Sequence, residues 1–146
     1  MYRFRLEPLL KHRKLIEEQL QKEVAVLLKS HATETQKLQN TRNHRDKFLA
    51  ELQKIQNEGT SVSNIILYVR FIDQLSKAIA KQEKIVLEVL KKFEHKHQDL
   101  VEATKKRKIL EKLKEKTLRA YKQTMQKKEQ DFLNEVGINR YSRGPR

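Results

Sequence analysis

The chain almost lacks the residues that interrupt helices. Its 146 residues include two prolines and three glycines, which are Gly59, Gly137 and Gly144. Nothing in residues 9–57 or 65–136 forces the backbone out of a helix, and Gly59 lies between these two stretches. The sequence therefore predicts an all-α fold of two very long helices joined by one reversal.

Helix one is expected over about residues 6–57, because Pro8 is tolerated in a first helical turn. Alternating steps of four and three residues pick out fifteen positions, nine of them apolar, which is typical of a coiled-coil seam. These positions are Leu6, Leu10, Arg13, Glu17, Leu20, Val24, Leu27, His31, Glu34, Leu38, Thr41, Arg45, Phe48, Leu52 and Ile55. We interpret the charged and histidine positions as residues that specify register.

A turn is expected over about residues 58–63, with Gly59 in a left-handed conformation and Ser61 or Ser63 as the next helix cap. Helix two is expected over about residues 64–136. Its seam repeats every seven residues at Ile65, Ile72, Ile79, Val86, Phe93 and Leu100, with Tyr68, Leu75 and Val89 between them. Beyond Leu100 the pattern becomes irregular at Arg107 and Lys114, and we expect a stutter that shifts its phase.

A short loop makes the helices antiparallel neighbours, with Phe48 near Ile72 and Leu6 near Lys114. The chain is then a single domain over residues 1–146, a two-helix coiled-coil hairpin with unequal arms. Helix two overhangs and carries an apolar stripe at Leu118, Tyr121, Met125 and Phe132, unless helix one slides or the end frays. Residues 137–146 are expected to be a disordered basic tail.

Phe71 and Ala78 flank the seam and, together with the seam residue Leu75, form a small apolar edge. This edge either widens the helix packing or receives a partner. The densest positive run is residues 105–108, followed by Lys112, Lys114 and Lys116. We interpret it as a solvated or protein-facing helix surface, because no aromatic side chains alternate with the lysines for base stacking.

The composition disfavours catalysis and cofactor binding. Apolar residues are 37% and charged residues 36% of the chain, which suits thin helical layers more than an enclosed pocket. There is no cysteine and no glycine cluster for a phosphate loop, and His95 and His97 point about 200° apart on a helix. We therefore expect no enzyme activity, no cofactor, no metal site and no small-molecule substrate.

The formal net charge is +14, which attracts polyanions, anionic membranes or acidic proteins. One alternative function is therefore a basic helical nucleic-acid or membrane-surface binding protein, which would show steep salt dependence. Another is a structural coiled coil that dimerises through its overhang. The basic N-terminus lacks an apolar segment after it, which disfavours a cleaved signal peptide and favours a cytoplasmic location.

Four stretches of the chain together resemble the flagellar FliJ family. They are the opening Phe4-Arg5-Leu6 with Leu9, Leu10 and Arg13; Tyr68-Val69-Arg70-Phe71-Ile72 with Leu75, Ala78, Ile79 and Gln82; residues 110–115; and residues 129–135. Each motif is ordinary coiled-coil sequence, but their order around one turn is more specific. Asn134 and Leu67 depart from the family's pattern, where an acidic residue and an asparagine are expected.

The resemblance implies a rotary-ATPase-like stalk in the flagellar type III export apparatus, located at the inner membrane of the flagellar base. By that analogy its open end binds the flagellar export ATPase, through Leu6, Leu10, Arg13, Leu118, Tyr121, Met125 and Phe132. The edge at Phe71, Leu75 and Ala78 would bind the export gate membrane protein. Other faces could contact export chaperones, and nucleic acid is disfavoured as a partner.

Overall fold

Two helices contain most of the protein. A computed structural model describes residues 1–144, in which α1 spans Glu7–Glu58 and α2 spans Val62–Ser142. α1 has 52 residues and α2 has 81, and the described residues contain no strand. The predicted all-α antiparallel hairpin with unequal helices is confirmed. The chain divides into two units, which we call the turn unit (residues 19–100) and the terminal unit (residues 1–18 with the chain from Val101).

Local chemistry explains where the helices begin and end. Pro8 lies in the first turn of α1. A backbone N–H at this position would have no intrahelical acceptor, so its absence from proline costs no hydrogen bond. Gly59 has a φ of 84° after the end of α1, and it is the one residue of 1–144 with a positive φ. The Ser61 hydroxyl accepts a hydrogen bond from the Asn64 backbone N–H at 3.3 Å, so Ser61 is the cap of α2.

The C-terminal end of α2 differs from the expectation. The helix continues through Gly137 to Ser142, whereas a disordered tail was expected from residue 137. One glycine inside a helix costs only about 1 kcal/mol, which is too little to end the helix by itself. The helix ends one residue before Arg143, close to Gly144-Pro145, and residues 145 and 146 lie outside the described range.

In the turn unit, contacts between α1 and α2 run in opposite order along the two helices. Glu23 meets Lys96 at 3.0 Å, the Gln82 side-chain amide donates to the Glu34 carboxylate at 2.5 Å, and the Phe48 and Phe71 ring centroids are 4.5 Å apart. Leu38 and Ile79 are buried between these contacts. This order demonstrates antiparallel pairing. Phe48 packs against Phe71, which is the residue before its expected neighbour Ile72.

The terminal unit pairs the start of α1 with α2 in the same antiparallel sense. Lys114 lies 2.9 Å from Glu7, Lys14 lies 3.9 Å from Glu111, and Arg107 bonds to Glu17. The buried apolar side chains of this unit are Leu10, Ala103 and Leu110. Leu6 was expected to lie near Lys114, and the contact of Lys114 with Glu7, the next residue, agrees with that expectation.

The seam of α1 matches the sequence pattern, because all fifteen predicted positions are buried or half-buried. The stutter expected beyond Leu100 is wrong. Buried and half-buried positions continue at residues 103, 107, 110, 114, 117 and 121, with the same alternating spacing. Arg107 and Lys114 occupy seam positions because carboxylates on α1 neutralise them, so a search for apolar residues alone misses these two positions.

No helix within residues 1–144 combines the length and the apolar character that a membrane span requires.

The packing of Leu10 gives a first prediction. Its side chain is 1% exposed, so Leu10→Ala removes a fully buried side chain and should lower the free energy of unfolding by about 2–3 kcal/mol. Leu15→Ala is the matched control, because Leu15 is 63% exposed on the same helix and should cost less than about 0.5 kcal/mol. Urea denaturation followed by circular dichroism measures both values, and equal costs would contradict the assigned seam.

Candidate partner-binding surfaces

The apolar edge of the turn unit lies on one face of α2. Phe71, Leu75 and Ala78 are separated by four and three residues, which aligns them along the helix. Phe71 is 40% exposed, and its ring packs edge-on against Phe48. Leu75 is half-buried and Ala78 is exposed. Packing against Phe48 of α1 therefore restricts the Phe71 ring on one side, while its other side remains accessible.

Exposed apolar residues near the turn extend beyond the predicted edge. Leu67 lies four residues before Phe71 and continues the same row, and it is 63% exposed. Val62, Ile66 and Val69 form a second exposed row at spacings of four and three. Sequence reasoning missed both features because it assigned apolar residues to the seam first. The helical spacing from Phe71 back to Leu67 was the signal that could have identified the extension.

The seven residues predicted to bind the ATPase all lie in the terminal unit but differ in accessibility. Leu10 is buried between the helices, so it supports the surface without being open to a partner. Half-buried side chains form the next group, which comprises Leu6, Arg13, Leu118 and Tyr121. Met125 and Phe132 are 47% and 64% exposed. Of the seven, only these last two are exposed.

Residues before α1 cover part of the expected overhang. The Tyr2 hydroxyl lies 2.5 Å from the Thr117 hydroxyl and donates to the Lys114 carbonyl oxygen at 3.4 Å. The Tyr2 ring centroid is 5.4 Å from that of Tyr121. The uncovered stripe of α2 therefore begins near Met125, about two helical turns later than predicted. Sequence reasoning missed Tyr2 because non-helical residues have no periodicity that indicates a packing face.

Charged side chains fix the pairing of the two helices in the terminal unit. Glu17 is 7% exposed and bonds to the Arg107 guanidinium, which also donates to Glu111 at 2.7 Å. These hydrogen bonds, chiefly the one that Arg107 donates to Glu17, raise the pKa of Arg107 above its ordinary value. The hydrogen bond from Lys114 lowers the pKa of the Glu7 carboxyl. In the terminal unit, each of these basic side chains of α2 is therefore paired with a carboxylate of α1.

Two polar contacts also join α1 to α2 in the turn unit. The hydrogen bond from Gln82 is the main cause that lowers the pKa of Glu34, and the bond from Lys96 lowers that of Glu23. Glu17 and Glu34 were interpreted as register residues, and both bond across the helix pair. This agrees with a structural role for the polar seam positions.

The histidines take part in separate contacts. His95 Nδ1 lies 3.5 Å from the Asp99 carboxylate, and the His97 ring is stacked with Phe93 at a centroid distance of 5.8 Å. Among residues 1–144, no three histidine or acidic side chains are grouped as metal ligands would be.

A family model described as "Flagellar FliJ protein" matches residues 2–146. The chain belongs to the flagellar FliJ family. It is therefore a component of the flagellar export apparatus, as its motifs indicated. No curated protein and no solved structure matches the chain.

The Glu17–Arg107 pair gives a second prediction. Replacing both residues by Leu should cost less than the sum of the two single replacements, because each single change leaves a charge in the seam without its main partner. We expect a coupling energy of about 1–2 kcal/mol from a double-mutant cycle in urea. The exposed pair Asp73–Lys77 is the control and should couple by less than about 0.5 kcal/mol. A coupling for Glu17–Arg107 no larger than the control's would refute its role in register.

Proposed function

We propose that this FliJ-family chain is a non-enzymatic coiled-coil stalk that binds and stimulates the flagellar export ATPase and links it to the export gate. The single observation that carries the proposal is the run of exposed apolar side chains on α2 beyond the last contact with the residues before α1. A helix that keeps an apolar stripe without an intramolecular partner presents the pattern used in helix-in-groove recognition.

The ATPase contact is assigned to the terminal unit. Met125 and Phe132 are seven residues apart and lie on one stripe of α2. Half-buried Leu6, Arg13 and Leu118 lie in the same unit, where they can border the contact. This unit also has 19 lysines and arginines against nine acidic residues, a net charge of +10. Such a field accelerates encounter with an acidic partner surface.

The export-gate contact is assigned to the apolar edge of the turn unit. Phe71 is an aromatic anchor, and aromatic side chains contribute a large share of binding energy in protein interfaces. Its packing against Phe48 reduces the side-chain entropy that binding would otherwise lose. Leu67 extends this edge by one turn. Export chaperones would contact other exposed faces, and a position at the inner membrane of the flagellar base follows from the gate contact.

Removing the exposed apolar stripe tests the ATPase contact. Met125→Ala with Phe132→Ala raises helix propensity while it removes the contact area, so helicity by circular dichroism should be preserved. The concentration of chain that gives half-maximal stimulation of the purified export ATPase should rise about tenfold or more. Val26→Ala with Leu28→Ala removes exposed apolar area from α1 and should leave stimulation unchanged. Normal stimulation by the first variant would rule out this surface.

A charge placed on the apolar edge tests the gate contact. Ala78→Asp inserts a carboxylate beside Phe71 and should weaken binding to the purified gate protein about tenfold, as measured by titration calorimetry. Ala80→Asp is the matched control, since Ala80 is also exposed but lies about 200° around the helix. ATPase stimulation should be normal for both variants. Equal affinity of the two variants for the gate would overturn the assignment.

A further inference from the structure

A row of basic side chains follows the outer face of α2 in the terminal unit. We call it the basic ridge; it consists of Lys105, Lys108, Lys112, Lys116 and Arg119. Spacings of three and four residues align them on one helix face, and all five are exposed. At 1.5 Å per residue the ridge extends over about 21 Å.

The charges of the ridge are poorly neutralised. Lys105 lies 3.6 Å from Glu102, but in the described part of the chain the other four members have no carboxylate within 4.0 Å. Only Glu111 and Glu115 are acidic in residues 103–128, and Glu111 already contacts Arg107 and Lys14. Like charges at a spacing of four residues destabilise a helix. Helix stability therefore does not account for the ridge.

Exposed aliphatic side chains lie directly beside the ridge. Ile109 is 66% exposed and Leu113 is 39% exposed, and each is three or four residues from members of the ridge. Leu113 also lines a shallow groove together with Arg3 and Arg5 from the segment before α1. This arrangement places aliphatic groups between two sets of cations. Basic residues beside exposed apolar ones are typical of helices that lie in the membrane interface.

We propose that this face of the terminal unit binds an anionic phospholipid bilayer. The ridge and the two arginines contact lipid phosphates and carboxylates, while Ile109 and Leu113 enter the boundary between headgroups and acyl chains. Nucleic acid is a weaker match, because no aromatic side chain lies on the ridge to stack on bases. The inference depends on this face alone, so it stands or fails separately from the ATPase and gate contacts.

Vesicle co-sedimentation of the full chain tests the proposal. The chain should bind vesicles of phosphatidylcholine with about 30 mole per cent phosphatidylserine at physiological salt, and bind pure phosphatidylcholine at least tenfold more weakly. Changing Lys108, Lys112, Lys116 and Arg119 to Gln should reduce binding to the anionic vesicles by about 600-fold, since each charge contributes about fivefold. Gln is a good helix former, so circular dichroism should show a folded variant.

A matched variant separates the ridge from net charge. Changing Lys81, Lys84, Lys91 and Lys92 to Gln removes the same charge from exposed positions on α2 in the turn unit. This control should lose less than about fivefold in vesicle binding. Equal losses in the two variants would overturn the proposal, because binding would then follow net charge alone. Failure of the unmodified chain to bind the anionic vesicles would also overturn it.

Ile109→Gln separates a bilayer from other polyanions. Its binding to the anionic vesicles should fall about three- to tenfold, because less apolar surface enters the interface. Its binding to heparin should not change, because heparin offers charge without an apolar phase. If Ile109→Gln weakens neither interaction, the ligand is a general polyanion and the bilayer assignment is wrong.

Discussion

The structure depends on charge pairing inside a narrow seam. Two paired helices bury only one stripe each, so few side chains are fully enclosed, and within residues 1–144 Leu10 is the one that is less than 2% exposed. Apolar stripes by themselves permit several registers. Contacts such as Glu17 with Arg107 and Glu34 with Gln82 form in only one alignment of the helices. A shift of one helix along the other would leave charges in the seam unpaired.

The narrow seam also leaves the proposed binding surfaces exposed. A helix pair leaves most side chains in solvent, so the proposed contacts lie on what α1 does not cover. Three regions stand out: the edge around Phe71, the stripe at Met125 and Phe132, and the basic ridge with Ile109. All lie on α2, which is the longer helix. All three proposed contact surfaces therefore belong to the terminal and turn units through α2, and α1 stabilises part of that helix.

Much of the fold could be predicted because helix formation and heptad packing are local. The seam of α1, the left-handed Gly59 and the Ser61 cap are all present in the structure. Predictions failed where the apolar pattern alone was used. The stutter was inferred at Arg107 because a charged residue there breaks the apolar pattern, but Glu17 on α1 neutralises it. The helix also continued through Gly137, since one glycine is a weak barrier to it.

The amino-acid sequence by itself determined two long helices, one reversal, the antiparallel pairing and membership of the family, since these follow from breakers, periodicity and motif order. Only the tertiary structure decided which predicted contact residues are accessible. Leu10 and Phe132 share the same apolar character, but one is enclosed by the helix pair and the other is open to solvent. Only the fold could show that Tyr2 covers Tyr121, because residues more than a hundred positions apart meet through tertiary packing.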